Sequence, residues 1–235
     1  MEKQGELDKL DVYIENEDIL VNLKKLKKED IDRKYSYHFL KRMLDLLGSM
    51  IGLILFAPLF LVIAIAIKKE DRDSPIFFSQ TRVGKNGKEF KMYKFRSMCV
   101  DAEVKLKELL KRNEVEGAMF KIKDDPRVTK VGKLIRKTSI DELPQLWNVL
   151  RGEMSLVGPR PPLKREVKEY STYDKQRLLI KPGCTGVWQI SGRNNVSFND
   201  MVKMDIDYVK KLSILKDIKI ILKTFWIMIK PNGAY

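Results

Sequence analysis

The chain holds a single histidine, His38, in 235 residues, which excludes a Ser-His-Asp triad within one chain and any zinc site needing two imidazoles. Catalysis, if present, must use carboxylates, lysines, arginines or a hard metal held by oxygen. Cysteine is nearly as scarce: Cys99 and Cys184 lie 85 positions apart with no C-x-x-C and no pairing framework. That spacing predicts plain packing in a reducing compartment, and so the cytosolic side. Internal repeats, low-complexity tracts and a P-loop are also missing. The one long hydrophobic run starts too late, behind too many charges, to be a cleaved signal.

What the chain has in excess is positive charge, +14 at neutral pH with 44% hydrophobic residues. The composition predicts one main domain with a good core, and the charge calls for an anionic partner: nucleic acid, an acidic membrane surface or a phosphorylated substrate. Charge alone does not choose among them.

Residues 46 to 67 read "LLGSMIGLILFAPLFLVIAIAI", an uncharged run that as a straight helix would extend about 33 Å, enough for a bilayer core of about 30 Å. Pro58 near its middle predicts a kink. Arg33, Lys34, Lys41 and Arg42 precede the run and Lys68, Lys69 and Arg72 follow it, so both ends carry the charge expected of a cytoplasmic face. A re-entrant element satisfies both flanks; a kinked spanning helix satisfies the length equally well. Near the C-terminus, Leu212, Leu215, Ile218, Leu222, Phe225 and Ile229 recur at helical spacing among Lys211, Lys216, Lys219, Lys223 and Lys230. This predicts an in-plane amphipathic helix with snorkelling lysines.

Between these signals, "IFFSQTR" and "EFKMYKF" flank "VGKNGK", and Asn86-Gly87 predicts a β-hairpin. Asp101 can cap a helix running to about Asn113 and closed by Gly117. Residues 1 to 37 read as a mobile or peripheral helical lead.

The stretch "RKTSIDELPQLWNVL", residues 136 to 150, sets Asp141 and Glu142 at a helix start. Ser139 with Glu142 three positions on makes a capping box, and Leu143, Leu146, Trp147 and Leu150 a buried stripe. A purely structural reading of the two carboxylates is therefore available, beside a chemical one. Two Gly/Pro-dense segments follow, "RGEMSLVGPRPPL" and "KPGCTGVWQISGRNN", which present Arg160 and Arg193 on rigid loops. Arginine's fork and glycine-exposed amides suit phosphate oxygens.

Taken together and in order, "KMYKFRSM", "DDPRVTKVGKLIRKTSIDELPQLWNVLRGEMSLVGPRP", "PGCTGVWQISGRNN" and "MDIDYVKKLSILKDIKIILKT", behind a Pro-containing hydrophobic run, resemble the bacterial sugar transferases, the monotopic phosphoglycosyl transferases. The resemblance covers about residues 38 to 230. It implies transfer of sugar 1-phosphate from a UDP-sugar to undecaprenyl phosphate with Mg2+, releasing UMP, at the cytoplasmic face of the bacterial inner membrane, as the first membrane step of surface glycan synthesis. It places Asp141 on the family's nucleophile and Glu142 on its partner, carries Lys94, Arg136, Arg160, Arg193 and Asp217 to the active site, and gives Glu142 and Asp217 as metal ligands. Pro58 matches the kink of the family's re-entrant helix and tips the topology toward re-entrant. Ala57 departs from the serine that many relatives carry before the proline, which puts any help from that hydroxyl in doubt.

The expected fold is α+β: a monotopic membrane protein with a Pro-kinked re-entrant helix, amphipathic in-plane helices and a small cytosolic α/β catalytic domain. The expected organisation is a variable lead over 1–37, the membrane helix over 38–70, the catalytic domain over 71–208 and the membrane-associated C-terminal helix over 209–235. Expected partners are the UDP-sugar, undecaprenyl phosphate, inner-membrane lipid and a second copy in a homodimer, with no nucleic acid. The rival expectation is a non-enzymatic basic scaffold that binds anionic lipid or nucleic acid at the membrane.

Overall fold

In the structure, a computed structural model describing residues 26–102, 104–105, 125–191 and 196–229, the hydrophobic run is two helices. After a short α1, Lys28–Asp32, α2 spans Tyr35–Leu55 and α3 spans Ala57–Glu70, bent by 56° about Phe56. Pro58 sits in the first turn of α3, where its missing N–H was never needed, so the break falls just before it. The bend forms with Ala57 in place of a hydroxyl. Among the described residues no single helix is long and apolar enough to cross a membrane, although the bent pair together has the length and composition.

The polarity of α2 is inverted. Lys41, Asp45 and Ser49, spaced by four, are buried, while Phe39, Leu47, Ile51, Ile54 and Leu55 are exposed. The buried polar face is matched by partners: Asp45 Oδ1 accepts from Ser155 Oγ and from Leu156 N, each at 2.9 Å. Gly48 and Gly52 let this face come close, since a Cβ on either would lie 2.6 Å from Leu156 Cδ1 or 2.9 Å from Leu146 Cδ1.

The predicted hairpin is present: β1, Phe77–Val83, pairs antiparallel with β2, Glu89–Phe95, in the register Phe77↔Phe95 to Val83↔Glu89. Asn86 and Gly87 take positive φ in the turn. After α4, Lys130–Lys137, and α5, Gln145–Leu150, comes β3, Ser155–Val157. α6, Lys164–Lys168, precedes β4, Gly183–Thr185, which pairs parallel with β3. α7, Val187–Ser191, α8, Phe198–Lys210, and α9, Ile214–Ile229, complete the α+β fold.

Three sequence expectations change. Residues 26–34 are not a peripheral lead: Ile31 is in the core with Tyr208 and Val209, Leu26 N donates to Gln176 Oε1 at 2.6 Å, and α2 starts at Tyr35. The Ser139 capping box does not form. Pro144 bars a continuous helix through Ile140, so Ile140–Glu142 closes as one 3-10 turn, Ser139 takes φ 57° without capping, and α5 begins at Gln145. The buried stripe of α5 is also not the apolar one: Gln145, Asn148 and Val149 are buried and Trp147 is exposed. Asn148 replaces a neighbouring strand for β2, its Oδ1 accepting from Tyr93 N at 3.0 Å and its Nδ2 donating to Lys91 O at 2.7 Å. Of the helix expected from Asp101, only Ala102 and residues 104–105 are described.

Candidate active site

The 3-10 turn carries Asp141 and Glu142 between β2 and α4. Ile140 packs into the cluster of Ile63 and Ile67 from α3, Phe95 from β2 and Ile135 from α4, which fixes the turn from three sides. Asp141 is 7% exposed, whereas the Glu142 side chain is 41% exposed. Lys94 on β2 reaches Glu142 Oε1 at 2.5 Å. Arg136, in the last turn of α4, contributes positive charge at Asp141, and Arg82 and Arg160 do so at Glu142.

These charges divide the pair. Burial pushes the Asp141 carboxyl up to about 6, with Lys94 and Arg136 opposing the rise and the Glu142 charge adding to it. The partial desolvation of Glu142 by surrounding protein also opposes its ionisation, but the Lys94 charge and hydrogen bond, followed by Arg160 and Arg82, outweigh it and hold that carboxyl below its ordinary value. One carboxylate is thus firmly ionised, and its neighbour titrates nearer neutrality and stays ionised at pH 7. That is a suitable state for a nucleophile.

The Arg160 loop is built from backbone. Val83 N donates to Pro162 O at 3.0 Å, and Arg82 Nη1 to Pro161 O at 3.1 Å, so the hairpin grips the Gly-Pro-Arg-Pro-Pro segment directly. From the other side Gly158 N donates to Thr185 O, and Gly183 N to Pro159 O, each at 2.9 Å. A Cβ on Gly183 would lie 2.0 Å from Gly158 N, so the two Gly/Pro-dense segments touch main chain to main chain. Arg177, buried against Asp205 and donating to Tyr170 OH at 2.9 Å, underlies this loop.

Of the residues singled out in the sequence, Asp141, Glu142, Lys94, Arg136 and Arg160 come together. Asp217 does not join them through any shared partner. Fully buried on α9, it accepts from Tyr208 OH at 2.6 Å and Tyr37 OH at 3.1 Å, and its Oδ2 lies 3.0 Å from Lys41 Nζ. These contacts tie α9 to α2 and α8, and none of them is to Glu142. Arg193 lies outside the described residues.

Arg82 is the residue the sequence reading passed over. It is buried, donates through Nη2 to Gln80 Oε1 at 2.8 Å, and burial, with Arg160 next to it, pushes its guanidinium down to about 10, still charged at neutral pH. Strand alternation and the Asn-Gly turn held the signal: Arg82 pairs with Phe90, and Phe78 with Lys94, so Arg82 and Lys94 share a face of the hairpin. Both cysteines are free thiols.

A family model described as bacterial sugar transferase matches residues 36–231. The chain is 52% identical over 202 residues to the galactosyl transferase CpsE of Streptococcus agalactiae, covering 86% of this chain and 44% of that protein. It is 48% identical over 206 residues to a UDP-galactose-lipid carrier transferase of Erwinia amylovora, covering 86% and 43%. It is 43% identical over 199 residues to the exopolysaccharide production protein ExoY of Rhizobium meliloti, covering 83% and 88%. The chain therefore spans less than half the length of the first two relatives and most of the third.

Proposed function

The chain belongs to the bacterial sugar transferase family, and from that premise we propose that it transfers a sugar 1-phosphate from a UDP-sugar to undecaprenyl phosphate, through a phosphosugar carried on Asp141. The observation that carries this reading is the buried, cation-ringed Asp141 beside an ionised Glu142, on a turn packed against the bent helix pair. Relatives named for galactose transfer make UDP-galactose the first donor to test.

In the first half-reaction an Asp141 carboxylate oxygen attacks the phosphorus that bears the sugar. The P–O bond to UMP breaks, and UMP leaves with the electron pair. In the second, a phosphate oxygen of undecaprenyl phosphate attacks the same phosphorus, restoring the Asp141 carboxylate and leaving the sugar on a lipid diphosphate. Lys94, Arg136 and Arg160, with Arg82 behind them, neutralise the diphosphate and hold it in line, so catalysis is largely positioning and charge stabilisation.

Of this donor set, Glu142 is the protein carboxylate that would hold Mg2+. Glu142 is exposed enough to serve, whereas among the described residues no group of three His, Cys, Asp or Glu could hold a metal unaided. When bound, the ion would supply neutralisation of the developing phosphate charge.

The membrane reading rests on the inverted face of α2 and on the outward apolar residues of neighbouring elements. Leu134 and Trp147 lie close in sequence to Asp141, and Leu215, Leu222, Phe225 and Trp226 line the outer face of α9. These residues suit a re-entrant α2–α3 pair on the cytoplasmic side, with the carboxylates at the lipid surface where the acceptor phosphate lies. UMP release from UDP-galactose with undecaprenyl phosphate and Mg2+ in detergent tests the activity. Turnover that needs both substrates supports it; no turnover with any of a panel of UDP-sugars sinks it and favours the scaffold.

A further inference from the structure

Glu70 is the last residue of α3, yet its carboxylate belongs to α4. Its Oε1 accepts from Lys130 N at 2.7 Å and its Oε2 from Val131 N at 3.0 Å, while Thr129 Oγ1 accepts from Gly132 N at 2.9 Å. The first three amides of α4 are thereby satisfied, two of them by a side chain 60 positions away on a different helix. A carboxylate there also meets the positive end of the α4 dipole.

The same two helices meet again further along. Ile63 and Ile67 of α3 pack with Ile135 of α4 and Phe95, and Leu59, Phe60, Val131 and Ile140 surround them. α4 is eight residues, about 12 Å of regular helix, held to α3 by an ionic cap at its start and an apolar contact near its end. Arg136 lies beside Ile135 in that last turn, and Ile140 adjoins Asp141. A short helix anchored at both ends moves as a strut, so a shift at Lys130 reaches Arg136.

We propose that Glu70 is a positioning residue for the transfer: it pins the start of α4 to the end of the bent helix pair and so sets Arg136 in register with Asp141. The inference rests on the reading of Asp141 as the nucleophile. It makes the seat of the apolar helices part of the catalytic geometry, because the residue that closes α3 is the one that aligns the arginine.

The test uses the full chain in detergent with UDP-galactose labelled in the sugar and no lipid acceptor. It reads the single-turnover rate of label attachment to Asp141 at saturating donor, well below the unfolding midpoint of every variant. Glu70→Ala should slow attachment at least about tenfold, since misplacing a reacting or charge-stabilising group by about 1 Å can cost as much as 100-fold. Glu70→Gln, which keeps one acceptor, should fall between. Adding Lys130→Pro to Glu70→Ala removes one of the two amides that Glu70 caps, leaving Val131 N to solvent, and Thr129 at φ −72°, ψ 168° already suits the residue before a proline. The double variant should recover part of the lost unfolding midpoint while attachment stays as slow as in Glu70→Ala. If attachment recovers with the midpoint, Glu70 is only a local cap and the proposal is overturned. Full-rate attachment in Glu70→Ala overturns this proposal alone, whereas no adduct on the unmutated chain overturns the nucleophile reading and this inference with it.

Discussion

Lys94 forms its ion pair with Glu142, at 2.5 Å, and not with the adjacent Asp141. The more exposed carboxylate takes the strong partner, and the buried one is left to the surrounding field. This arrangement predicts different failures for the two residues. Asp141→Asn should abolish both turnover and covalent adduct while leaving folding intact, because an amide is no harder to bury than the carboxylate it replaces. Glu142→Gln should slow adduct formation and weaken Mg2+ dependence, with the label still mapping to Asp141. Mapping it to any other residue would remove the proposed mechanism.

The pH profile follows from the raised Asp141 value. A nucleophilic carboxylate must be ionised, so the rate of adduct formation from UDP-galactose should rise about tenfold per pH unit up to about 6 and level off above it. The stability effect has the opposite sense. A carboxyl that binds its proton more tightly when folded loses stability as pH rises from about 4, the unfolded value, through about 6. Asp141→Asn should therefore unfold at a higher temperature than the unmutated chain at pH 7 and show little difference at pH 4. An acid limb near pH 4 would contradict both statements.

Asp205 offers a stability prediction independent of catalysis. It pairs with the fully buried Arg177, which also holds Tyr170 OH. Asp205→Ala leaves that guanidinium without its counter-charge and should cost about 3–5 kcal/mol, read as a fall in the urea midpoint. Because Arg177 underlies the Arg160 loop, binding of the donor should weaken too. A midpoint within experimental scatter of the unmutated chain would show that the pair is not carrying the loop.

Topology can be read from single cysteines at Leu40, in the second turn of α2, and at Asp73, just beyond α3. A reagent restricted to the periplasmic side should label neither, and labelling of one alone would mean a true crossing. Pro58→Leu restores an amide donor where the helix breaks, and should shift a fraction of molecules to the crossing form. Unchanged labelling would place the cause of the bend elsewhere, in the docking of α3 on Phe95 and Ile135.

The periodic signals were legible in the sequence. Alternation and an Asn-Gly turn predicted the hairpin, and the outward stripe of α9 was visible as lysines among regularly spaced apolar residues. What could not be read was partnership over long sequence distance. Ser139 and Glu142 have the spacing of a capping box, but Pro144 and the reach of Lys94 decide otherwise. The apolar stripe of α5 pointed to a buried face, yet the edge of β2 needed the amide of Asn148 there. Asp217 matched a family position, but its contacts with Tyr37, Lys41 and Tyr208 had no sequence signal, since only the fold brings those residues to it. Arg82 was overlooked because a lone arginine in a strand carries no signal until the register places it on the face of Lys94.

The contact of Gly158 with Gly183 limits how donor preference could be re-engineered. With no room for a Cβ between the two backbones, the segment bearing Arg160 and the one leading into α7 form a single block. Grafting one of them from a relative that uses another sugar would bring a mismatched surface onto a joint with no slack. A successful chimera must carry both across together, with Arg82 of the hairpin kept to hold Pro161.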